Sequence, residues 1–319
     1  MPRGSQRKEL ERISGKDARR SRAVACRRPL SGTWGLAFAR TFPIFAAWRR
    51  LLNSFPGFLA TFLFVAVAAS DAARSLADQP DHSVNIGQLF ERATASAIRN
   101  ESREAVEQAD RVIELDADFA PAYYLRGRER FRLGLLEQAV SDFDRYIQLR
   151  PESAASQWER GIALYYAGRY REGAEQFAAY QTRYDNDVEN SVWRYLCIAR
   201  QEGLEEAKED LLPIKNDPRV PMMEIYQMYR GELTPEQVIE AAKKDGPAPK
   251  ALRGRLFYAH LYIGLFHEVA CKADLAKKHI LLAADPKNKD AEVNRYMWDV
   301  ARIHLQRLRT AANKGRTSP

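Results

Sequence analysis

Small, aromatic and turn-forming residues recur at a spacing of 34 positions through the middle of the chain. The registered pairs are Gly127/Gly161, Gly134/Gly168, Ala139/Gly173, Phe143/Phe177 and Pro151/Asp185. A period of this length is typical of repeat proteins, in which each unit is a pair of helices that cannot bury its apolar face alone. The pattern therefore predicts an all-α helix-turn-helix solenoid, a superhelical stack of neighbouring pairs.

Each registered position has an expected structural task. Small residues at Gly127 and Gly161 are expected to let the two helices of a pair approach closely. Gly134, Gly168 and Asn100 stand where a helix ends, so a positive φ is expected there. The phenylalanine pair is expected to fill the space between units. The proline is expected to stop the second helix of its unit, because it cannot donate the next backbone hydrogen bond.

The period and the breaks in it predict the domain organisation. Repeats are expected at residues 86–119, 120–153 and 154–187, followed by a degenerate unit at 188–215. A less regular C-terminal helical region is predicted at 216–312 and a polar tail at 313–319.

The C-terminal region is predicted to contain two helices, a last repeat and a closing helix. The two helices are expected at 222–229 and 234–243, and the second is opened by Thr234-Pro235-Glu236-Gln237, a cap residue with Gln three positions later. The last repeat is expected at 253–284. A final helix at 290–308 is expected to cap the stack.

Charge is concentrated at the N-terminus. Residues 1–50 contain 13 of the 50 Lys and Arg residues and 3 of the 42 Asp and Glu residues, so they carry +10 and the rest of the chain carries −2. We predict a disordered basic leader over residues 1–50. Because the expected folded part lacks a positive excess that would displace counterions from phosphates, no nucleic-acid partner is expected.

An apolar segment at residues 51–73 follows this leader. Arg49-Arg50, the run GFLATFLFVAVAAS and the small residues around Ala68 match the three parts of a secretory signal. Two alternatives stay open, a cleaved signal peptide and a retained membrane anchor. In both, the preceding positive charge keeps the N-terminus inside, so the rest of the chain is expected to be exported, periplasmic or membrane-associated and facing outward.

The repeats resemble a known family. Residues 120–153 and 154–187 are similar to the tetratricopeptide repeat (TPR) in their small, aromatic and proline positions. Over residues 85–305 the order of elements, with Trp193 in the irregular unit and Arg295-Tyr296 on the last helix, resembles the bacterial envelope adaptors of the new lipoprotein I family. This resemblance implies a scaffold, possessing no enzyme activity, for peptidoglycan hydrolases and a periplasmic protease, and it suggests a homodimer. The lipid-anchoring cysteine of that family has no counterpart here.

The TPR resemblance also implies a binding groove, because the first helices of such units line the concave side of the stack. We call the residues that fall at the lining positions the groove set. Its members are Phe90, Tyr124, Arg128, Phe131, Arg132, Trp158, Ile162, Tyr165 and Tyr166. Aromatic rings and arginines are typical anchors of protein partners. Alternatively, some members, especially Ile162 and Tyr165, are core residues that contact the next helix.

One group of residues suggests metal chemistry. His260, His267 and Cys271 are spaced at i, i+7 and i+11, which places them on one helical face where zinc could bind. Ordinary packing is the favoured interpretation, because no fourth ligand or supporting carboxylate is evident nearby. The sequence contains no phosphate-binding glycine loop, nucleophile elbow or His-Glu-x-x-His pair. We therefore expect no catalytic residue, no metal and no cofactor.

The sequence thus predicts a non-enzymatic adaptor that binds a protein or peptide in its concave groove, in the bacterial cell envelope. Under the family resemblance the partner would be an envelope hydrolase or a protease. The first alternative is a membrane-anchored assembly factor that contacts the membrane through residues 51–73. The less favoured alternative is a metal-dependent enzyme that uses His260, His267 and Cys271.

Overall fold

The computed structural model describes residues 85–316 of the 319-residue chain. The predicted leader at 1–50 and the apolar segment at 51–73 lie outside the described residues. Within 85–316 the chain is helical and contains no strand. In this part of the chain none of the helices is both long and apolar enough to cross a membrane. The all-α fold predicted from the period is confirmed.

Three helix pairs occupy the predicted repeats. They are α1 (Ile86–Ile98) with α2 (Ser102–Leu115), α3 (Ala120–Arg132) with α4 (Leu136–Leu149), and α5 (Trp158–Ala167) with α6 (Tyr170–Gln181). The second pair ends as predicted: α4 stops at Leu149, and a short 3₁₀ helix, Pro151–Ser156, leads to α5. From α2 to α6 each helix packs on the next, so these repeats form a stack.

The remaining helices are less regular in length. They are α7 (Val188–Gln201), α8 (Leu204–Glu209), α9 (Met222–Arg230), α10 (Pro235–Lys243), α11 (Pro249–Val269), α12 (Ala273–Ala283) and α13 (Arg295–Arg316). The predicted start of α10 is confirmed: the Thr234 hydroxyl accepts a hydrogen bond from Gln237 N, and the Gln237 side chain accepts one from Thr234 N.

The close approach expected within a repeat is confirmed at Gly161. A Cβ atom at this position would lie 2.6 Å from Cζ of Phe177, which is fully buried between α5 and α6. Any larger residue at position 161 would therefore push the two helices apart. The expected helix ends are confirmed as well, with φ of 68° at Asn100, 78° at Gly134 and 80° at Gly168.

The last helix does not cap the stack as the sequence predicted. A short 3₁₀ helix occupies Pro286–Asp290, and α13 begins at Arg295. A capping helix keeps a polar outer face, whereas α13 buries Tyr296, Val300 and Ile303 together with His304. Because residues on several sides of α13 are buried, it lies within the protein and contacts the earlier helix α3 as well as its neighbour α12.

We expect Gly161→Ala to lower the free energy of unfolding by about 2 kcal/mol, because the added methyl group overpacks the contact with Phe177. In a Phe177→Leu background, which removes the ring atoms that clash, the same substitution should cost less than half as much. Urea unfolding of the wild type, both single variants and the double variant measures this coupling. Equal costs of Gly161→Ala in the two backgrounds would contradict the proposed close contact.

Candidate functional site

The groove set lies partly beneath the chain's own last helix. Tyr296 of α13 stacks on Phe131, with ring centroids 4.7 Å apart and an interplanar angle of 16°. It also meets Trp158 edge to face at 5.3 Å. Phe131 has no exposed surface and Tyr296 has 1% exposed. At Phe131 the structure therefore corrects the expectation of an open groove, because α13 covers this position.

Arg132 fixes α13 through buried charges. Its Nε lies 2.7 Å from Asp299 Oδ2 on α13, and its Nη1 lies 2.7 Å from Glu129 Oε2 on its own helix. Arg302 of α13 in turn donates a hydrogen bond to the Arg132 carbonyl oxygen at 2.7 Å. Buried charges need such partners to offset their loss of water. Arg132 therefore acts as a docking point for α13 and is not free to bind a partner's carboxylate.

Tyr166 belongs to a second polar network beneath α13. Its hydroxyl group lies 3.0 Å from His304 Nδ1, and His304 Nε2 lies 3.3 Å from Glu268 Oε2 on α11. Arg200 of α7 approaches the same carboxylate oxygen at 2.7 Å. Burial by itself would raise the pKa of Glu268, but His304 and Arg200 outweigh it and hold the pKa well below its usual range. The ionised carboxylate thus connects α7, α11 and α13.

Ile162, Tyr165 and Tyr166 are core residues in this structure. Each has 3% or less of its surface exposed. Tyr165 meets Trp193 of the next unit edge to face at 5.3 Å, and its hydroxyl oxygen accepts a hydrogen bond from Arg200 Nε at 3.3 Å. The alternative interpretation, contact with the next helix, therefore describes these positions, and their expected exposure in a groove is corrected.

The other members of the groove set are half-buried. The Tyr124 hydroxyl donates to Glu159 Oε1 at 2.7 Å, and Arg128 lies over the rings of Tyr124 and Tyr296 at 5.6 and 5.7 Å. Phe90 contacts the Phe119 ring edge to face at 5.1 Å. Their role in binding a partner stays a prediction.

A cavity of about 160 Å³ lies beside Trp158, and we call it the Trp158 cavity. Two tryptophans and apolar side chains of α5, α6 and α13 form part of its wall. Its polar lining comes from the start of α7, from the loop before α9 and from Asn294 just before α13. The residues that matter for its chemistry are Trp158, Asp187, Glu189, Asn190, Trp193 and Arg219.

Acidic groups outnumber basic groups beside this cavity. Arg219 pairs with Glu189 Oε2 at 2.6 Å, with Asp187 Oδ1 at 2.7 Å and with Asp217 Oδ2 at 2.6 Å. The Tyr262 hydroxyl donates to the other oxygen of Glu189, Oε1, at 2.6 Å. Burial raises the pKa of Glu189, and the neighbouring Asp187 adds to this effect, whereas Arg219 opposes it. A raised pKa means that the environment of Glu189 disfavours the charged form of its carboxyl group.

Sequence reasoning predicted only part of this lining. Trp158 and Ile162 belong to the groove set, but Glu189 and Arg219 were not selected. Asp187 precedes α7 and accepts a hydrogen bond from Glu189 N at 3.1 Å, so a helix cap just before Val188 was a usable local signal. Arg219 lies in an irregular loop between Pro218 and Pro221, where no period marks a residue as functional.

The predicted zinc candidate is not assembled. Helix α11 ends at Val269, so Cys271 lies beyond the helix, at a φ of 59°, and does not share one helical face with His260 and His267. The close neighbour of His260 is instead His279 on α12, with 3.0 Å between the two Nδ1 atoms. Among the described residues, no group of three or more His, Cys, Asp or Glu side chains is arranged to hold a metal ion.

No protein-family model matches the sequence. Among solved structures, the chain is similar to the crystal structure of a tetratricopeptide repeat protein from Parabacteroides merdae ATCC 43184, with 14% sequence identity and a TM-score of 0.46. The similarity covers 78% of this chain and 95% of that chain. The paired helices and their turns, described above, carry the assignment of the fold as an all-α stack of helix pairs.

The histidine pair predicts a pH dependence of stability. Burial, together with the neighbouring His279 and nearby lysines, lowers the pKa of His260 from 6.5 to about 4. Burial also lowers the pKa of His279. As the pH falls below about 6.5, these histidines bind protons in the unfolded chain before they do so in the folded protein, so protonation favours unfolding.

We therefore expect the free energy of unfolding to fall between pH 7 and pH 5. His260→Asn should reduce the slope of this fall by an amount that corresponds to less than one bound proton. Urea unfolding at several pH values measures both slopes. Glu205→Gln, which removes an exposed carboxylate on α8, is the control and should leave the slope unchanged. The same slope in His260→Asn as in the wild type would contradict this assignment.

Proposed function

We propose that this protein is a non-enzymatic adaptor that binds a protein partner through the exposed part of the groove set and the adjoining Trp158 cavity. The observation that carries the proposal is the position of Trp158. Its side chain is half-buried on the first helix of a repeat, and it lines a cavity that also has aromatic and charged residues on its walls. Large aromatic side chains at the edge of a cavity are typical anchors for a partner, because they bury much apolar surface at a small cost in conformational entropy.

The position of α13 narrows the surface available to a partner. Because α13 covers Phe131 and engages Arg132, these residues cannot touch a partner while the helix is docked. Tyr124, Arg128 and Trp158 keep partial exposure. The binding surface in this proposal is therefore smaller than a complete TPR groove and is centred on Trp158.

The envelope location is a further part of the proposal. It is supported by the basic leader at 1–50 and the apolar segment at 51–73, and by the resemblance to the envelope adaptors over residues 85–305. In this setting a hydrolase or protease of the envelope is the expected class of partner. The intact mass of the mature chain distinguishes a cleaved leader from a retained anchor.

Affinity capture with the full chain as bait tests the binding function. We expect Trp158→Ala to reduce recovery of the partner by more than tenfold, because loss of an aromatic anchor costs about 2 kcal/mol or more. Tyr184→Ala is the matched control, since Tyr184 is 48% exposed in the loop after α6 and lies outside the groove set.

Circular dichroism and thermal unfolding of both variants show whether the fold is retained. Trp158→Phe keeps an aromatic ring and should restore most of the recovery. If Trp158→Ala is folded and recovers every partner as well as the wild type does, the assignment of this surface is wrong.

A further inference from the structure

The Trp158 cavity has an uncompensated negative charge. Its lining carries two carboxylates, Asp187 and Glu189, and one guanidinium group, Arg219, which also pairs with Asp217 beyond the lining. Among residues 85–310, Arg219 is the cation that forms ion pairs with Asp187, Glu189 and Asp217. The Glu189 side chain is only 15% exposed, so water screens its charge poorly.

A second, independent feature is an acceptor without a partner. Asn190 lines the cavity and has 3% of its surface exposed. Its Nδ2 donates to the carbonyl oxygen of Phe177 and to Gln181 Oε1, both at 3.1 Å, which fixes the orientation of the amide group. Its Oδ1 is buried and has no hydrogen-bond partner in the described structure. Buried polar atoms are rarely left unpaired, so this oxygen is an acceptor that a donor bound beside Asn190 would satisfy.

The walls of the cavity also suit a cation. Trp158 and Trp193 lie on its lining, and the faces of tryptophan rings attract cations within about 6 Å. The volume of about 160 Å³ is close to that of a cavity that takes a benzene ring, so a guanidinium or ammonium group fits together with part of its alkyl stem. The partly exposed Arg219 side chain and the exposed Asn294 leave the cavity open to solvent at one side.

From these observations we propose that the Trp158 cavity binds an organic cation, the guanidinium or ammonium group of an Arg or Lys side chain that a partner inserts. The cation contacts Glu189 and Asp187, donates to Asn190 Oδ1 and lies against the tryptophan rings. This inference rests on the proposed function, because the cavity adjoins the surface assigned to the partner. It adds the chemistry by which that surface selects its partner.

Isothermal titration of the full chain with small probes tests the cavity separately from any partner. The probes are N-acetyl-argininamide, N-acetyl-lysinamide and the neutral isostere N-acetyl-citrullinamide, followed by a short peptide with one central arginine. We expect both cationic probes to bind at least tenfold more tightly than the citrulline probe, and the affinity to fall as salt is added. Tighter binding of the peptide would assign the cation to a partner's side chain. Equal binding of the peptide and the amide would contradict this assignment and indicate that the natural ligand is a free small amine.

Variants place the binding in this cavity. Glu189→Gln keeps an acceptor for Tyr262 but removes the charge, and it should weaken the cationic probes at least tenfold without changing the weak binding of the citrulline probe. Trp158→Leu should weaken the same probes, whereas Glu205→Gln, an exposed carboxylate on α8, should not. If Glu189→Gln does not fold, the cation inference is still tested by Trp158→Leu and by the comparison of the probes on the wild type.

The cation inference is overturned if the arginine and citrulline probes bind equally, or if neither binds at millimolar concentration. If capture of a partner nevertheless depends on Trp158, the adaptor function stands and only the cation is wrong. If the cationic probes bind but Trp158→Ala captures every partner normally, the cavity is a cation site and the adaptor surface is wrong.

Discussion

The structure depends on covering the apolar face that each helix pair leaves bare. Along the stack, one pair covers the next, as the contact between Tyr165 and Trp193 illustrates. On the groove side of α3 and α5 no further pair is present in the described chain, and α13 covers this face with Tyr296 against Phe131. Burial of two aromatic rings in this way stabilises the fold by several kcal/mol relative to their exposure. The position of α13 therefore follows from the same constraint that stacks the repeats.

Two carboxylates that are largely withdrawn from solvent differ in how their charge is balanced. Glu268 lies between Arg200 and His304, and these groups hold its pKa well below the usual range. Glu189 shares the single Arg219 with Asp187 and Asp217, and burial raises its pKa. The first carboxylate is stabilised in its charged form and connects helices. The second shares its one cation with two other carboxylates and lines a cavity that is open to solvent, and it is therefore the carboxylate that we propose to bind a ligand.

The helix pairs could be predicted from the sequence because their determinants are local or periodic. Gly161, Gly168 and Thr234 each act through neighbours within one repeat or one turn. The position of α13 could not be predicted this way, because Tyr296 contacts Phe131 across 165 positions of sequence. For the same reason His279 was missed as the neighbour of His260, and Arg219 was missed as the partner of Glu189. Contacts between residues in different helices are determined by tertiary packing, and a repeat period does not predict which residues meet.

Hydrogen exchange of the native protein tests most directly whether the last helix is an integral part of the stack. Because Tyr296, Asp299 and His304 are buried against α3, α5 and α11, the amides of residues 296–305 should exchange as slowly as those of residues 158–166, at rates set by global unfolding. Exchange of α13 within seconds, while α3 and α5 stay protected, would contradict this structure and favour the open groove that the TPR resemblance implies.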